Sequence, residues 1–177
     1  MSRKLKGEIA QDFTTGFEFI DEMNPRLLSN NLLVPYMIAV WEEFFRATFT
    51  ACLRYSKQRE AALKRAKLSH TDLEKLAIGS LQVERSMAEF FSFQRPSSIA
   101  ETFRLLDAKL DLAAPLRKPY RRGRVALFDS IEELVENRNA LVHAGDLNLA
   151  LFDKQLETIM SDLTEAVNRV YVYVAKH

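Results

Sequence analysis

The residues best equipped for chemistry stand together at Arg138-Asn139-Ala140-Leu141-Val142-His143. An imidazole with an unperturbed pKa near ~6.5 can take or give a proton at neutral pH, and a positioned general acid or base is worth typically ~10² to 10⁴ in rate. Arg138 offers a planar donor fork that matches phosphate oxygens and acts most strongly where water is excluded. Asn139 can orient the imidazole or donate to a phosphate without titrating. No rival constellation competes. The three histidines, His70, His143 and His177, form no HExxH or Cys/His metal spacing. There is no phosphate-binding glycine loop and no convincing Ser-His-Asp set, so neither a metal nor a cofactor is expected. The single cysteine, Cys52, lies in Phe49-Thr50-Ala51-Cys52-Leu53 and reads as a buried thiol rather than a nucleophile.

The register of the helix expected over about 124 to 143 makes this segment unusual. Its apolar stripe runs Leu127, Ile131, Leu134, Arg138, Leu141, so a cation occupies a core position. An unpaired charge there costs several kcal/mol, and Arg138 must face a carboxylate, an interface or an anion. The adjoining stripe, Glu132, Glu136, Asn139 and His143, is wholly polar, with Asn139 and His143 side by side four residues apart. Arg138 and His143 stand about 140° apart on a straight helix at ~100° per residue. They converge only if the helix loosens at Ala144-Gly145 or if two copies meet across a two-fold axis. Spacing alone is a weak signal, since Arg65-Ala66-Lys67-Leu68-Ser69-His70 shares it without the Asn.

An arginine followed at once by Asn and a few residues later by histidine, at the end of the third long helix of a helical bundle, resembles the HEPN family. The similarity extends over about residues 30 to 175 and includes an aromatic-acidic stretch, Trp41-Glu42-Glu43-Phe44, on a long helix. The resemblance implies a metal-independent endoribonuclease, of toxin or phage-defence type, whose site forms where two protomers meet. It implies products with 2′,3′-cyclic phosphate and 5′-hydroxyl ends. Catalysis would rest on Arg138, Asn139 and His143. Glu42 would hold Arg138 in place, with Glu43 as its rival. RNA as substrate, a homodimer and a possible antitoxin or regulatory partner are the expected associations. The alternative is a non-catalytic HEPN-like module that binds a nucleotide, RNA or protein partner. One histidine per protomer cannot be base and acid at once, which also favours a dimer.

The surrounding elements read as all-α: an up-and-down four-helix bundle with additional short helices, in one domain over residues 1–177. With 47% hydrophobic and 28% charged residues, five Gly and five Pro, the composition suits a globular helical protein. Ile9, Phe13, Phe17 and Ile20 mark an N-terminal helix over about 6 to 23, ended by Asn24-Pro25. A long helix over about 31 to 66 comes next, with Met37, Trp41, Phe44, Thr48, Cys52 and Tyr55 as its core face, widened by Val40, Phe45 and Phe49. Thr71 with Glu74 suggests a capping box for a third helix carrying Leu73, Leu76, Ala77, Leu81, Met87 and Phe91, stopped by Pro96. Ser98 with Glu101 opens a fourth, with Ile99, Phe103, Leu106 and Leu110 inward. A last helix over about 148 to 175 carries Leu149 through Val174.

The net charge of +1 argues against a bulk nucleic-acid coat but hides a basic loop between 113 and 123 and just beyond. There Arg117, Lys118, Arg121, Arg122 and Arg124, with Tyr120 among them, are candidates to track a phosphate backbone and stack a base. No run approaches the ~18 apolar residues of a membrane span, and no signal-peptide h-region stands behind the N-terminus. A cytoplasmic protein is expected.

Overall fold

A computed structural model describes residues 24–63, 69–80, 82–121 and 125–177. The helix expected over 6–23 lies outside the described residues. The elements are α1 (Pro25–Tyr55), α2 (Arg59–Leu63), α3 (His70–Ala77), α4 (Val83–Glu89), α5 (Pro96–Arg104), α6 (Ala113–Arg117), α7 (Leu127–Ala144) and α8 (Asp153–Val174). Among the described residues the fold is all-α, with no strand, and no helix is long and apolar enough to cross a membrane.

Helix α1 begins six residues before the expected start. Asn24 caps it, its side chain accepting from the Arg26 N–H at 3.0 Å, and Pro25 sits in the first turn, where a missing N–H costs nothing. Asn24-Pro25 is therefore a helix start. The C-terminus comes at Tyr55 instead of 66. Ser56 turns extended, and its hydroxyl donates to the Leu106 carbonyl (3.0 Å) while accepting the Gln58 N–H (3.1 Å), competing with the helical ladder. The core face is rotated about one position from the expected one: Val34, Ile38, Trp41, Phe45, Phe49 and Leu53 are buried, whereas Val40 and Tyr55 are exposed.

The expected third helix is two. Gly79, at φ 71°, ends α3 in a left-handed turn, and the Ser80 N–H bonds back to the Lys75 carbonyl at 2.9 Å. Its cap is Ser69 with Asp72, a reciprocal capping box two residues ahead of Thr71. No residue of α3 is buried, Leu73 included. Pro96 opens α5 rather than stopping α4, so Ser98 and Glu101 lie inside that helix. Ile99, Phe103, Leu106 and Leu110 are buried as expected. Part of the expected 113–123 loop is the helix α6.

Three long helices pack on one another. Arg26 meets Asp153 (3.3 Å) and Asn30 meets the Leu151 carbonyl (3.1 Å) at one end, while Ala51, Cys52 and Tyr55 line a pocket with Val174 and His177 at the other. Helices α1 and α8 are thus parallel. Helix α7 runs against both, since the segment leaving its C-terminus reaches the start of α1, where the Asn148 N–H donates to Asn31 Oδ1 at 2.8 Å. The far half of α1 is covered by α4, α5 and the segment between them. There Phe49 stacks edge-on with Phe103 at 5.5 Å and packs beside Phe93 at 5.6 Å, and the Trp41 indole donates to the Gln94 carbonyl at 3.0 Å. Cys52 is half-buried, and burial pushes its thiol pKa up.

Candidate functional site

Burial of Leu127, Ile131, Leu134 and Val135 holds α7 against the core, and the helix runs unbroken through His143 to Ala144. It ends cleanly. Gly145 takes φ 73°, a conformation that costs other L-residues about 1–2 kcal/mol, and its N–H closes on the Leu141 carbonyl at 3.0 Å. The loosening at Ala144-Gly145 that would let Arg138 and His143 converge within one copy therefore does not occur.

The exit segment after Gly145 is pinned to α1 by two buried asparagines that sequence reasoning missed. Asn31 accepts the Asn148 N–H and donates to the Asn148 carbonyl (3.1 Å) and to the Leu27 carbonyl (2.9 Å). Asn30 donates to the Leu151 carbonyl (3.1 Å) and to Asp153 Oδ1 (3.0 Å). The available signal was a polar pair set between Leu27 and Val34 on what is otherwise an apolar face.

Arg138 is half-buried. Its Nε is fully buried with no hydrogen-bond partner, and among the described residues no carboxylate pairs with it. Its guanidinium donates to Asn139 Oδ1 at 2.9 Å. That bond ties the head group to the residue that shares a face of α7 with His143. Asn139 and His143 lie about 40° apart on that face at ~100° per residue. The structure thus links Arg138 to Asn139, and places Asn139 next to an exposed His143 in the last helical turn.

Glu42, Glu43, Glu132 and Glu136 are committed elsewhere. Glu42 accepts from Arg46 at 2.6 Å and from the Gln94 amide at 3.1 Å, and Glu43 accepts from Arg46 at 2.8 Å. In one copy neither is brought to Arg138. Glu132 and Glu136 both hold Arg95, at 3.1 and 3.2 Å, and Glu132 also accepts the Ser97 N–H at 2.8 Å, fixing the start of α5. Hydrogen bonds from Arg95 to Glu136 first, and to Glu132, raise the arginine's pKa further. The polar stripe is divided: Glu132 and Glu136 are structural, whereas Asn139 is half-buried against Arg138 and His143 is exposed.

The basic loop lies at the other end of α7. From Leu127 to Arg138 and His143 is about 17 and 24 Å along the axis at ~1.5 Å per residue. Its groups are largely bound to the chain itself. The Arg117 guanidinium lies over Phe128 (4.4 Å), and the Tyr120 ring carries both Arg121 (4.7 Å) and Arg169 (5.4 Å). Arg121 also donates to Ser161 Oγ at 2.9 Å. Tyr120 is half-buried against the core and is no open platform for a base, while Lys118 is exposed. Arg122 and Arg124 lie outside the described residues.

A cleft of about 500 Å³ opens between α7 and α8, with Glu133, Asn137, Lys154 and Thr158 among its polar lining. It faces a different side of α7 from His143. Among the described residues no group of three or more His, Cys, Asp or Glu is placed to hold a metal ion. Comparison of the chain with models of known protein families, with characterised proteins and with solved structures found no match.

Proposed function

We propose that this chain is a HEPN-like, metal-independent endoribonuclease that works as a homodimer, with the Arg138-Asn139-His143 face of α7 as each copy's half of the site. One observation carries the reading. A half-buried arginine on a core stripe, with a buried Nε and no acidic partner among the described residues, is hydrogen-bonded to Asn139, one helical turn from an exposed histidine. An arginine so placed is an anion receptor waiting for its ligand.

RNA brings its own nucleophile. His143 of one copy takes the proton of the 2′-hydroxyl, whose oxygen attacks the adjacent phosphorus. Arg138 stabilises the charge on the phosphorane. The P–O5′ bond breaks and His143 of the second copy protonates the leaving oxygen, giving a 2′,3′-cyclic phosphate and a 5′-hydroxyl. The motif carries a single histidine per chain, so a base and an acid histidine would come from two copies. Glu42 and Glu43 hold Arg46 within one copy, and a role for either at Arg138 would need the second copy. The wider reading is a cytoplasmic toxin or defence protein restrained by a partner, in a single domain built as an up-and-down four-helix bundle.

A second reading is a HEPN-like module that binds a nucleotide, RNA or protein without cutting. It draws on the Arg138 guanidinium, which can hold an anion without any proton transfer. Expression in a bacterial host separates the two. Wild type slows growth, and His143→Ala or Arg138→Ala relieves it at equal soluble yield. Equal growth inhibition by wild type and both variants would overturn the nuclease reading.

A further inference from the structure

Helix α7 carries carboxylates in two different circumstances. Glu132 and Glu136 are held by Arg95, whereas Glu133 lines the cleft that α7 makes with α8. Among the described residues no hydrogen bond or ion pair engages the side chain of Glu133, nor those of Asn137, Lys154 and Gln155, which line the same cleft. Asp162, buried in the α8 wall, is already engaged within the chain, which leaves Glu133 as the carboxylate open to a ligand. At about 500 Å³ the cleft is the size of a small-molecule site, and its floor is apolar, with Ile131, Leu134 and Leu163 buried there. One wall is set in advance. Asn31 holds the backbone N–H and carbonyl of Asn148, whose Oδ1 accepts the Ala150 N–H at 2.9 Å.

The charges in the cleft have an order. Helices α7 and α8 are antiparallel, so Lys154 and Gln155, at the start of α8, lie at the Asn137 end, and Glu133 stands one turn, about 6 Å, farther along α7. An ammonium thus marks one end, carboxamides follow it, and a carboxylate marks the other end above an apolar floor. The start of α8 adds the positive end of its dipole to Lys154. The complement is a small molecule with an anion at one end, an aliphatic stem, and a cation at the other. Among the described residues no aromatic ring lines the cleft to stack a base, and an open carboxylate repels a phosphate, so a nucleotide is a poor match.

We propose that the α7–α8 cleft binds a free basic amino acid, arginine or lysine. Its carboxylate pairs with Lys154, and its α-ammonium donates to the carboxamide oxygens of Asn137 and Gln155. Its methylene stem lies over Ile131 and Leu134, and its terminal cation pairs with Glu133. The bonds from the α-carbon to the terminal nitrogen of such a molecule cover about 6–7 Å, close to the helical turn that separates Asn137 from Glu133. The cleft faces a different side of α7 from His143, so ligand binding here and RNA cleavage there are separate readouts.

The test is isothermal titration calorimetry on the full chain without RNA. L-arginine or L-lysine binds with a Kd below about 1 mM. Norleucine, which lacks the terminal cation, and agmatine, which lacks the carboxylate, each bind at least about 10-fold more weakly. Glu133→Gln and Lys154→Met, both at exposed positions and checked for folding by circular dichroism, each weaken arginine at least about 10-fold, while Glu133→Gln leaves norleucine unchanged and Lys154→Met leaves agmatine unchanged. Both amino acids binding more weakly than about 1 mM, or wild-type affinity in both variants, overturns the proposal. Tighter binding of a nucleoside monophosphate or of a polyamine than of either amino acid overturns it in favour of that ligand.

Discussion

Arg138→Met keeps an unbranched stem on the core stripe and removes the guanidinium. In the wild type the Nε is buried without a partner, and an unsatisfied buried donor costs about 1–3 kcal/mol. Its removal is offset by loss of the hydrogen bond to the half-buried Asn139, worth about 0.5–1.5 kcal/mol. The net expectation is a gain of about 0–2 kcal/mol, which for a chain of this size raises the melting temperature by roughly 2–4 °C per kcal/mol. A structural arginine behaves oppositely. Had it paired with a buried carboxylate, stranding that partner would cost about 3–5 kcal/mol. Thermal unfolding followed by circular dichroism distinguishes the two, run beside an RNA cleavage assay in which the variant loses roughly 10²-fold or more. A melting temperature lowered by about 6 °C or more would mark Arg138 as a structural residue, and cleavage retained at the wild-type rate would remove it from the site.

Asn31→Ala leaves the Asn148 N–H and carbonyl without their partner, and is expected to destabilise by about 1–3 kcal/mol and to speed hydrogen exchange in residues 145–152, read by mass spectrometry. Gly145→Ala meets nothing within 4 Å, so its cost of about 1–2 kcal/mol comes from φ alone; chemical denaturation reports it, and a neutral result would show that the turn has relaxed. For Glu84, burial raises the pKa, but hydrogen bonds from Arg59 at 2.7 and 3.1 Å outweigh it and hold the carboxyl below its ordinary value. The stability this pair contributes is present above the ordinary carboxyl pKa and is lost as pH falls through the lowered one. Arg59→Ala therefore costs about 1–2 kcal/mol at neutral pH, allowing for the exposed end of Arg59, and the difference from wild type shrinks below about pH 4. A difference that does not vary with pH would mean that the pair does not titrate with folding.

The all-α class and the long helices α1, α7 and α8 were readable because sustained three-four spacing has few other solutions. What failed was punctuation. Pro25 and Pro96 can each end the preceding segment or sit in the first turn of the next helix, and the residue pattern alone does not choose. Gly79 broke a continuous apolar stripe because a left-handed cap outweighed the pattern, and the true core face of α1 is set by α4 and α5, which single-helix periodicity cannot see. At the candidate site, the anomaly of Arg138 on a core stripe was visible from register. Its environment was not: that Glu42 serves Arg46, that Glu132 and Glu136 serve Arg95, and that Asn139 takes the guanidinium are matters of three-dimensional neighbours. The basic loop shows the same limit, since the Tyr120 ring is occupied by the chain's own arginines.

The central claim concerns His143, whose exposure makes substitution cheap: a surface change of this kind stays within about 0.5 kcal/mol, so lost activity cannot be laid to unfolding. The most direct measurement is cleavage of a mixed RNA panel by wild type and His143→Ala in excess EDTA, with the ends analysed. Wild type is expected to cut, leaving 2′,3′-cyclic phosphate and 5′-hydroxyl ends, and His143→Ala to fall by roughly 10²-fold or more at an unchanged melting temperature. Wild type that leaves the whole panel intact, or His143→Ala that cuts as fast as wild type, would contradict it.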